Sequence, residues 1–393
     1  MKRTSCPGCY SPDINEFFVV KNAPVQSIVT IKSYEKAISI PRKDITLAFC
    51  NNCGFIFNSS FDTGIDHFTQ GYEDQQIFSP TFQKFITEIT NRFIEKYNVY
   101  EKDVIEIGCG KGDFINLICG LGNNRGTGID PAYVEGRQKP NPNVSFIKEF
   151  YSEKHGELPA DVITSRHTLE HIHETGEFVK IIRDSIKDDR EITVLTEVPN
   201  VERILKIQAF WDIFYEHCSY FSGGSLARLF KLNGFEVIDV YTEYSNQYLF
   251  VEAKPAIQSD VETGNPHPNE EPVEELKKLA GGFVVKISRQ LEEWKSLLLK
   301  LKSENKKVAI WGGGSKAVGF LTHFDELGVV KHVVDINPHI QGNYIPGIGK
   351  QYMPPEFLKQ FQPDMVIIMN GIYEDEISKS LTEMNLSPDL ICL

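Results

Sequence analysis

The stretch Val104 to Phe114, VIEIGCGKGDF, constrains the fold of this chain more than any other. A short apolar run, Val104 to Ile107, ends in Gly108-Cys109-Gly110-Lys111-Gly112. That reads as a buried parallel strand turning tightly into a helix. Glycines without a Cβ let the backbone come close to a ligand. The helix that follows points its free N–H groups at the same place. About one βαβ half-unit later, Gly128-Ile129-Asp130 ends a second strand in an acid, which can bind both hydroxyls of a ribose. Together these predict a nucleoside cofactor on a doubly wound α/β sheet.

The spacing G-x-G-x-G differs from the G-x-G-x-x-G dinucleotide fingerprint. Glu106 inside the strand is also unusual for an NAD site. E-x-G-x-G-x-G followed by an acid after the next strand resembles motifs I and II of class I S-adenosylmethionine (SAM) methyltransferases. The resemblance implies a cofactor set of Glu106, Gly108, Gly110, Gly112, Asp130 and Pro131.

At 393 residues the chain should hold two or three domains. A formal net charge of −13 disfavours a nucleic acid or an anionic membrane as partner. The opening MKRTSCPGCYSPD has no apolar core for a signal peptide, and no run of about 18 apolar residues follows. The expectation is a soluble cytoplasmic protein with mostly reduced cysteines.

Four of the eight cysteines form two C-x-x-C pairs, Cys6/Cys9 and Cys50/Cys53. Each pair sets two thiolates at the corner of a tight turn, and two such corners complete a tetrahedral zinc site. β-type runs between them, Ser27 to Ile31 and Thr46 to Phe49, fit a zinc ribbon with an insertion. Four thiolates leave no open position, so this zinc is expected to be structural.

Gln70-Gly71-Tyr72-Glu73 leads through an expected lid into an amphipathic helix, Thr81 to Tyr97. Strands follow at Val104–Ile107, Arg125–Ile129, Val162–Thr164 and Ile192–Thr196, then a helix from Ser222 to Leu232. Phe235–Thr242 and Gln247–Ala253 complete the sheet as a hairpin-like pair. Ser165 to Ile172, SRHTLEHI, lies at a strand's carboxyl end, where open α/β sheets bind ligands. His171 is the candidate there, while His167 either contacts cofactor or caps the loop. In Phe210 to Ser222, FWDIFYEHCSYFS, Glu216 and His217 are adjacent titratable groups among aromatics, which desolvate them and move their pKa values toward neutrality. Pro255 to Pro272 reads as a linker. A long helix with Phe283, Ile287, Leu291, Trp294, Leu298 and Leu301 on one stripe then connects to a last unit. That unit begins Val308-Ala309-Ile310-Trp311-Gly312-Gly313-Gly314-Ser315-Lys316, with a second strand ending at Asp335 and a third at Met365 to Met369. It reads as a degenerate Rossmann-like domain that helps hold substrate rather than a second dinucleotide site, because the third glycine of the fingerprint is missing and Lys316 favours phosphate or another anion. The expected domains are 1–70, 71–254, a linker and helix over 255–304, and 305–393.

Taken together, the two C-x-x-C pairs, EIGCGKG, HTLEHI, YEHCSYFS, GGGSKA and VVDINPHIQGNYIPG resemble the three-domain SAM-dependent C-methyltransferases of deoxysugar pathways. The resemblance implies zinc-binding, SAM-binding and Rossmann-like domains in that order. It also implies a small-molecule substrate, a nucleotide-linked keto-sugar, whose enolate attacks the methyl group of SAM. Such chemistry needs a base and donors to the enolate oxygen. By position in the motifs, the family's active-site residues fall on Tyr72, His171, Glu216 and His217. His217 is then the base, Glu216 its orienting partner, and Tyr72 and His171 the enolate donors. The chain departs from the family at Phe214, where a second active-site tyrosine is expected, and at Gln247 to Phe250, where a Gly-Gly-Ser run is expected. Two other readings stand beside this one: a SAM enzyme methylating O or N of another metabolite, and a non-catalytic zinc and Rossmann scaffold.

Overall fold

A computed structural model describes residues 2–65, 71–186, 191–256 and 266–393. Gln70 and half of the expected linker, residues 257–265, lie outside the described residues. Strands β1 (Ile14–Pro24), β2 (Arg42–Cys50) and β3 (Ile56–Asn58) pair antiparallel in sequence order. Ser27 to Ile31, expected as a strand, makes only isolated bridges, Val29 to Tyr72 and Ile31 to Tyr344. Its partners come from the rest of the chain, which a local reading of β-propensity does not see.

The central sheet is built from β4 (Asp103–Ile107), β5 (Arg125–Ile129), β6 (Val144–Ile147), β7 (Val162–Arg166) and β8 (Thr193–Pro199). After the short β9 (Ser219–Tyr220), it is completed by β10 (Phe235–Glu243) and β11 (Tyr248–Pro255). Its order is β10-β11-β8-β7-β4-β5-β6, with only β11 running antiparallel to its neighbours. This is the class I SAM methyltransferase sheet. The strand order reverses beside β4, which places a crevice over the carboxyl ends of β4 and β7. The helix Pro80–Tyr97 starts with a Ser79 side-chain cap and a proline, and buries Phe82, Ile86, Ile89 and Phe93 in front of that sheet.

The last sheet, β12 (Val308–Trp311), β13 (Val330–Val334), β14 (Tyr352–Met353), β15 (Met365–Ile368) and β16 (Asp389–Cys392), is fully parallel in the order β14-β13-β12-β15-β16. The helix Val273–Ser303 carries the expected apolar stripe and ties the layers together. Phe283 meets Phe18 of β1 edge-on at 5.0 Å, and Trp294 meets Phe320 of the last unit at 5.1 Å. One apolar core therefore runs from Val20 and Ile45 through Phe210 and Phe283 to Ile310 and Phe320.

The layers also share backbone. β9 adds to β3 as the fourth strand of the N-terminal sheet, pairing Ile56 with Tyr220 and Phe57 with Ser219. None of the described helices is long and apolar enough to cross a membrane.

Candidate active site

At the end of β4, Gly108, Gly110 and Gly112 all adopt positive φ, which glycine tolerates and other residues rarely do. A Cβ on Gly108 would stand 2.0 Å from the Thr168 hydroxyl, so this glycine lets the HTLEHI loop close onto the turn. At Gly110 the nearest group to a Cβ would be the Asp74 carboxylate, 3.6 Å away. Asp130 Oδ2 accepts the Gly110 N–H at 2.8 Å, and Oδ1 accepts the Ala132 N–H at 2.6 Å. Each oxygen keeps a lone pair for a diol. Pro131 follows directly. Glu106 is buried below the turn, with Oε2 lacking any hydrogen-bond partner. Burial raises it to about 8, with Arg166 and the Ile115 N–H opposing. Burial likewise raises Asp74 to about 6.

The β7 loop carries a buried ion network. Arg166 pairs with Glu197 of β8, its neighbour across the ladder. Glu197 also stands 3.2 Å from His167 Nε2, and Glu170 stands 3.4 Å from His167 Nδ1. Burial opposes charge on His167, but these two carboxylates win and raise it to about 9. Both ring nitrogens of His167 thus face acids.

His171 Nδ1 lies 3.0 Å from the Glu216 carbonyl, which can only accept, so the hydrogen sits on Nδ1. Its Nε2 then presents a lone pair, 3.5 Å from the Tyr72 hydroxyl. Tyr72 is held well above the ordinary phenol range by burial and neighbouring acids, so it stays protonated. The His171 and His217 rings meet edge-on at 4.9 Å, and Phe214 covers His217 at 4.0 Å between centroids.

Two expectations about Glu216 and His217 are corrected here. The Glu216 carboxylate accepts from the Ser27 hydroxyl and makes no contact with the neighbouring imidazole. Burial raises it to about 7. Adjacent residues in an irregular loop point apart, so sequence neighbours need not be partners. His217 is not held near neutrality: burial, then His171, His167 and Lys316, push it well below the ordinary imidazole range.

Tyr72, His167, His171, Phe214, His217 and Tyr248 form one wall of a cavity of about 320 Å³. The facing wall comes from the last sheet, with Trp311, Gly312, Lys316, Asp335, Asn337 and Tyr373. That wall repeats the central turn. Asp335 Oδ2 accepts the Gly313 N–H and Oδ1 accepts the Asn337 N–H at 2.7 Å, as Asp130 does with Gly110 and Ala132. Lys316 is ion-paired with Asp212 rather than left open for an anion. Arg203 stands 3.5 Å from the same carboxylate, so in this trio two cations share one acid.

Glu73 and Asp74 were not singled out from sequence. Glu73 joins the two halves, accepting from Arg137 at 2.8 Å and from Asn337 at 3.1 Å. Their only signal was an acidic pair within GYED, directly after Tyr72.

The four cysteines converge. Cys6 and Cys53 Sγ lie 3.6 Å apart, as do Cys9 and Cys50 Sγ, and all four fall within 4.8 Å of one another. A disulfide needs about 2.05 Å. Tetrahedral zinc with Zn–S of about 2.3 Å places its sulfurs roughly 3.8 Å apart, so the set fits that ion.

Residues 79–240 match the methyltransferase domain family, and residues 254–387 match the C-methyltransferase C-terminal domain family. C-methyltransferase NovU of Streptomyces niveus is 27% identical over 300 residues, covering 72% of this chain and 70% of its own. Among solved structures, the 1,6-didemethyltoxoflavin-N1-methyltransferase of Burkholderia thailandensis aligns at 16% identity with a TM-score of 0.34, covering 44% of this chain and 79% of its own. Magnesium protoporphyrin IX methyltransferase from Synechocystis PCC 6803 aligns at 13% with 0.36, over 47% and 91%. A methyltransferase domain followed by the C-terminal domain named for C-methylation, together with the likeness to a C-methyltransferase, supports a SAM-dependent C-methyltransferase enzyme.

Proposed function

We propose that this enzyme methylates a carbon of a nucleotide-linked keto-deoxysugar through an enolate. One observation carries the reading. Two glycine-turn and acid pairs share one hydrogen-bond design, Gly110 with Asp130 and Gly313 with Asp335, and the cavity is lined by Asp335 and by Asp74, which stands beside Gly110. One holder suits a nucleoside cofactor, and the other suits a substrate that also carries a nucleoside. The net positive charge of Lys316, Arg203 and Asp212 on the second wall suits a diphosphate link.

Glu106, Gly108, Gly110, Gly112, Asp130 and Pro131 would hold SAM, which supplies an electrophilic methyl group when bound. The acidic surroundings of the turn, Asp74 and Asp130, match a cofactor bearing sulfonium and ammonium charges. His217, neutral at physiological pH, is the base that takes a proton from the carbon next to the substrate carbonyl. Tyr72, kept protonated, donates to the charge that develops on oxygen, and His171, whose Nε2 is an acceptor here rather than the expected donor, positions it. The last domain, residues 305–393, holds the nucleoside of the substrate. Cys6, Cys9, Cys50 and Cys53 hold a structural zinc that fixes the N-terminal sheet.

The test is incubation with SAM and a panel of nucleoside-diphosphate-linked keto-deoxysugars. S-adenosylhomocysteine should form with one of them, and NMR of the product should place the new methyl on carbon. A methyl found on oxygen or nitrogen, or no turnover with any keto-sugar beside turnover of a different metabolite, would refute the assignment.

A further inference from the structure

A base pushed well below the ordinary imidazole range needs help when it becomes charged. Glu170 stands where that help is required. It is 1% exposed, and neither of its carboxylate oxygens accepts a hydrogen bond. Oε1 lies 4.0 Å from His217 Nε2, and ligand atoms of Glu170, His171 and His217 fall within 4.8 Å of one another. A buried carboxylate with both oxygens unsatisfied persists only where a nearby charge compensates it. His167 is that charge, 3.4 Å away and held as imidazolium from its far side by Glu197. With a cation already beside the carboxylate, the cluster reads as a proton-handling group rather than a metal cage. Its geometry is fixed by backbone: the Glu170 carbonyl accepts the Cys218 N–H at 3.0 Å, tying the β7 loop to the loop of His217. His167 sits at φ 48°, a left-handed conformation rare for a non-glycine residue and typical of constrained sites. The titratable groups beside the Glu170 carboxylate are His167, His171 and His217, with Tyr72 and Cys218 within electrostatic reach.

We propose that Glu170, not Glu216, is the carboxylate that works with His217. It is a positioning residue: it keeps the ring hydrogen on Nε2 and stabilises the imidazolium formed when the opposite nitrogen, Nδ1, takes a proton. This rests on His217 being the base. In the step, the C–H bond beside the substrate carbonyl breaks and its proton bonds to Nδ1. Its electron pair becomes the enolate, with the negative charge on oxygen. Glu170 takes no proton in the step.

The experiment uses the full chain labelled with 15N-histidine and saturated with S-adenosylhomocysteine. Long-range 1H–15N correlation reads which ring nitrogen of His217 carries hydrogen, and His217→Asn assigns the signal. Wild type should show Nε2–H. Glu170→Gln offers an amide hydrogen toward Nε2 and should favour Nδ1–H, whereas Glu216→Gln should leave the His217 signals in place. Turnover of a nucleoside-diphosphate-linked keto-deoxysugar should fall about 10²-fold in Glu170→Gln at unchanged KM. That is less than the ~10⁴ of a directly bonded triad carboxylate, because the gap here is wider. Glu170→Asp should recover part of the loss. Retention of Nε2–H in Glu170→Gln, or a response to Glu216→Gln alone, overturns the proposal. Should Glu170→Gln not fold, Glu170→Asp turning over at the wild-type rate overturns it instead. Persistent C–H exchange in His217→Asn would sink the base assignment but leave the tautomer result standing, so the two failures are distinguishable.

Discussion

Replacing Glu197 with glutamine should remove about 3 kcal/mol of folding stability at pH 6. Glu197 is fully buried on β8, paired with Arg166 and 3.2 Å from His167. Burial alone would raise its carboxyl, but the two cations hold it at about 2. Against an ordinary 4.5, at about 1.4 kcal/mol per pKa unit, the network favours the charged form by roughly 3 kcal/mol. That agrees with the ~3–5 kcal/mol for breaking a buried ion pair. The amide keeps the shape but leaves the Arg166 guanidinium facing Glu106, which is mostly protonated at neutral pH. The sign with pH follows from two groups. A depressed carboxyl stabilises above its unfolded pKa of about 4.5 and loses that contribution as pH falls toward 2, so its share is constant from pH 6 to 9. His167, raised to about 9, stabilises fully below its unfolded value of about 6.5 and loses that contribution as pH rises through 9. In the glutamine variant His167 loses part of this raise. The gap between wild type and variant should therefore be largest near pH 6 and shrink toward pH 9. Urea unfolding of both proteins at pH 6, 7.5 and 9 measures it. A gap below about 1 kcal/mol at pH 6, or one that widens toward pH 9, would refute the reasoning.

Metal analysis of purified protein should find about one zinc per chain, and Cys50→Ser should lower both the zinc content and the melting temperature. A reduced, folded protein without zinc would end that assignment. Asp130→Ala should weaken SAM binding by about 1–3 kcal/mol, the scale for hydrogen bonds to a charged group, and calorimetry giving an unchanged affinity would contradict the ribose contact. His217→Asn should leave SAM affinity intact while lowering turnover by about 10²-fold or more and suppressing exchange of the substrate's acidic C–H in deuterium oxide without SAM. Exchange at the wild-type rate in that variant would place the base elsewhere.

What could be read from sequence is what is encoded locally. The glycine turn after β4, the acid after β5 and the two C-x-x-C corners each carry their geometry within a few residues, and the structure brings each together. The long helix declared itself by its stripe, of which Leu291 alone is only partly buried. The pairing of side chains across loops was hidden. Glu216 and His217 are neighbours in sequence, but Glu216 accepts from Ser27 while His217 Nε2 lies 4.0 Å from Glu170. Glu170 stood in plain view within HTLEHI, yet its place depends on a backbone bond to Cys218 that no spacing rule reports. Lys316 looked free for an anion because Asp212 lies 104 residues away. Ser27 to Ile31 has strand-like composition, but its bridging partners, Tyr72 and Tyr344, come from distant segments.

The pairing of β3 with β9 bears on how such enzymes can be recombined. The strand that completes the N-terminal sheet follows His217 by a single residue, and Asp62 N–H donates to the Tyr215 hydroxyl just upstream. Cutting the chain near residue 65 and grafting the N-terminal segment of a relative would leave that sheet with a mismatched edge. It would also misplace the imidazole next to it. A chimera that exchanges the segment together with residues 210–222 keeps the seam inside one parent, and a crossover library across relatives should recover active clones mainly from that class.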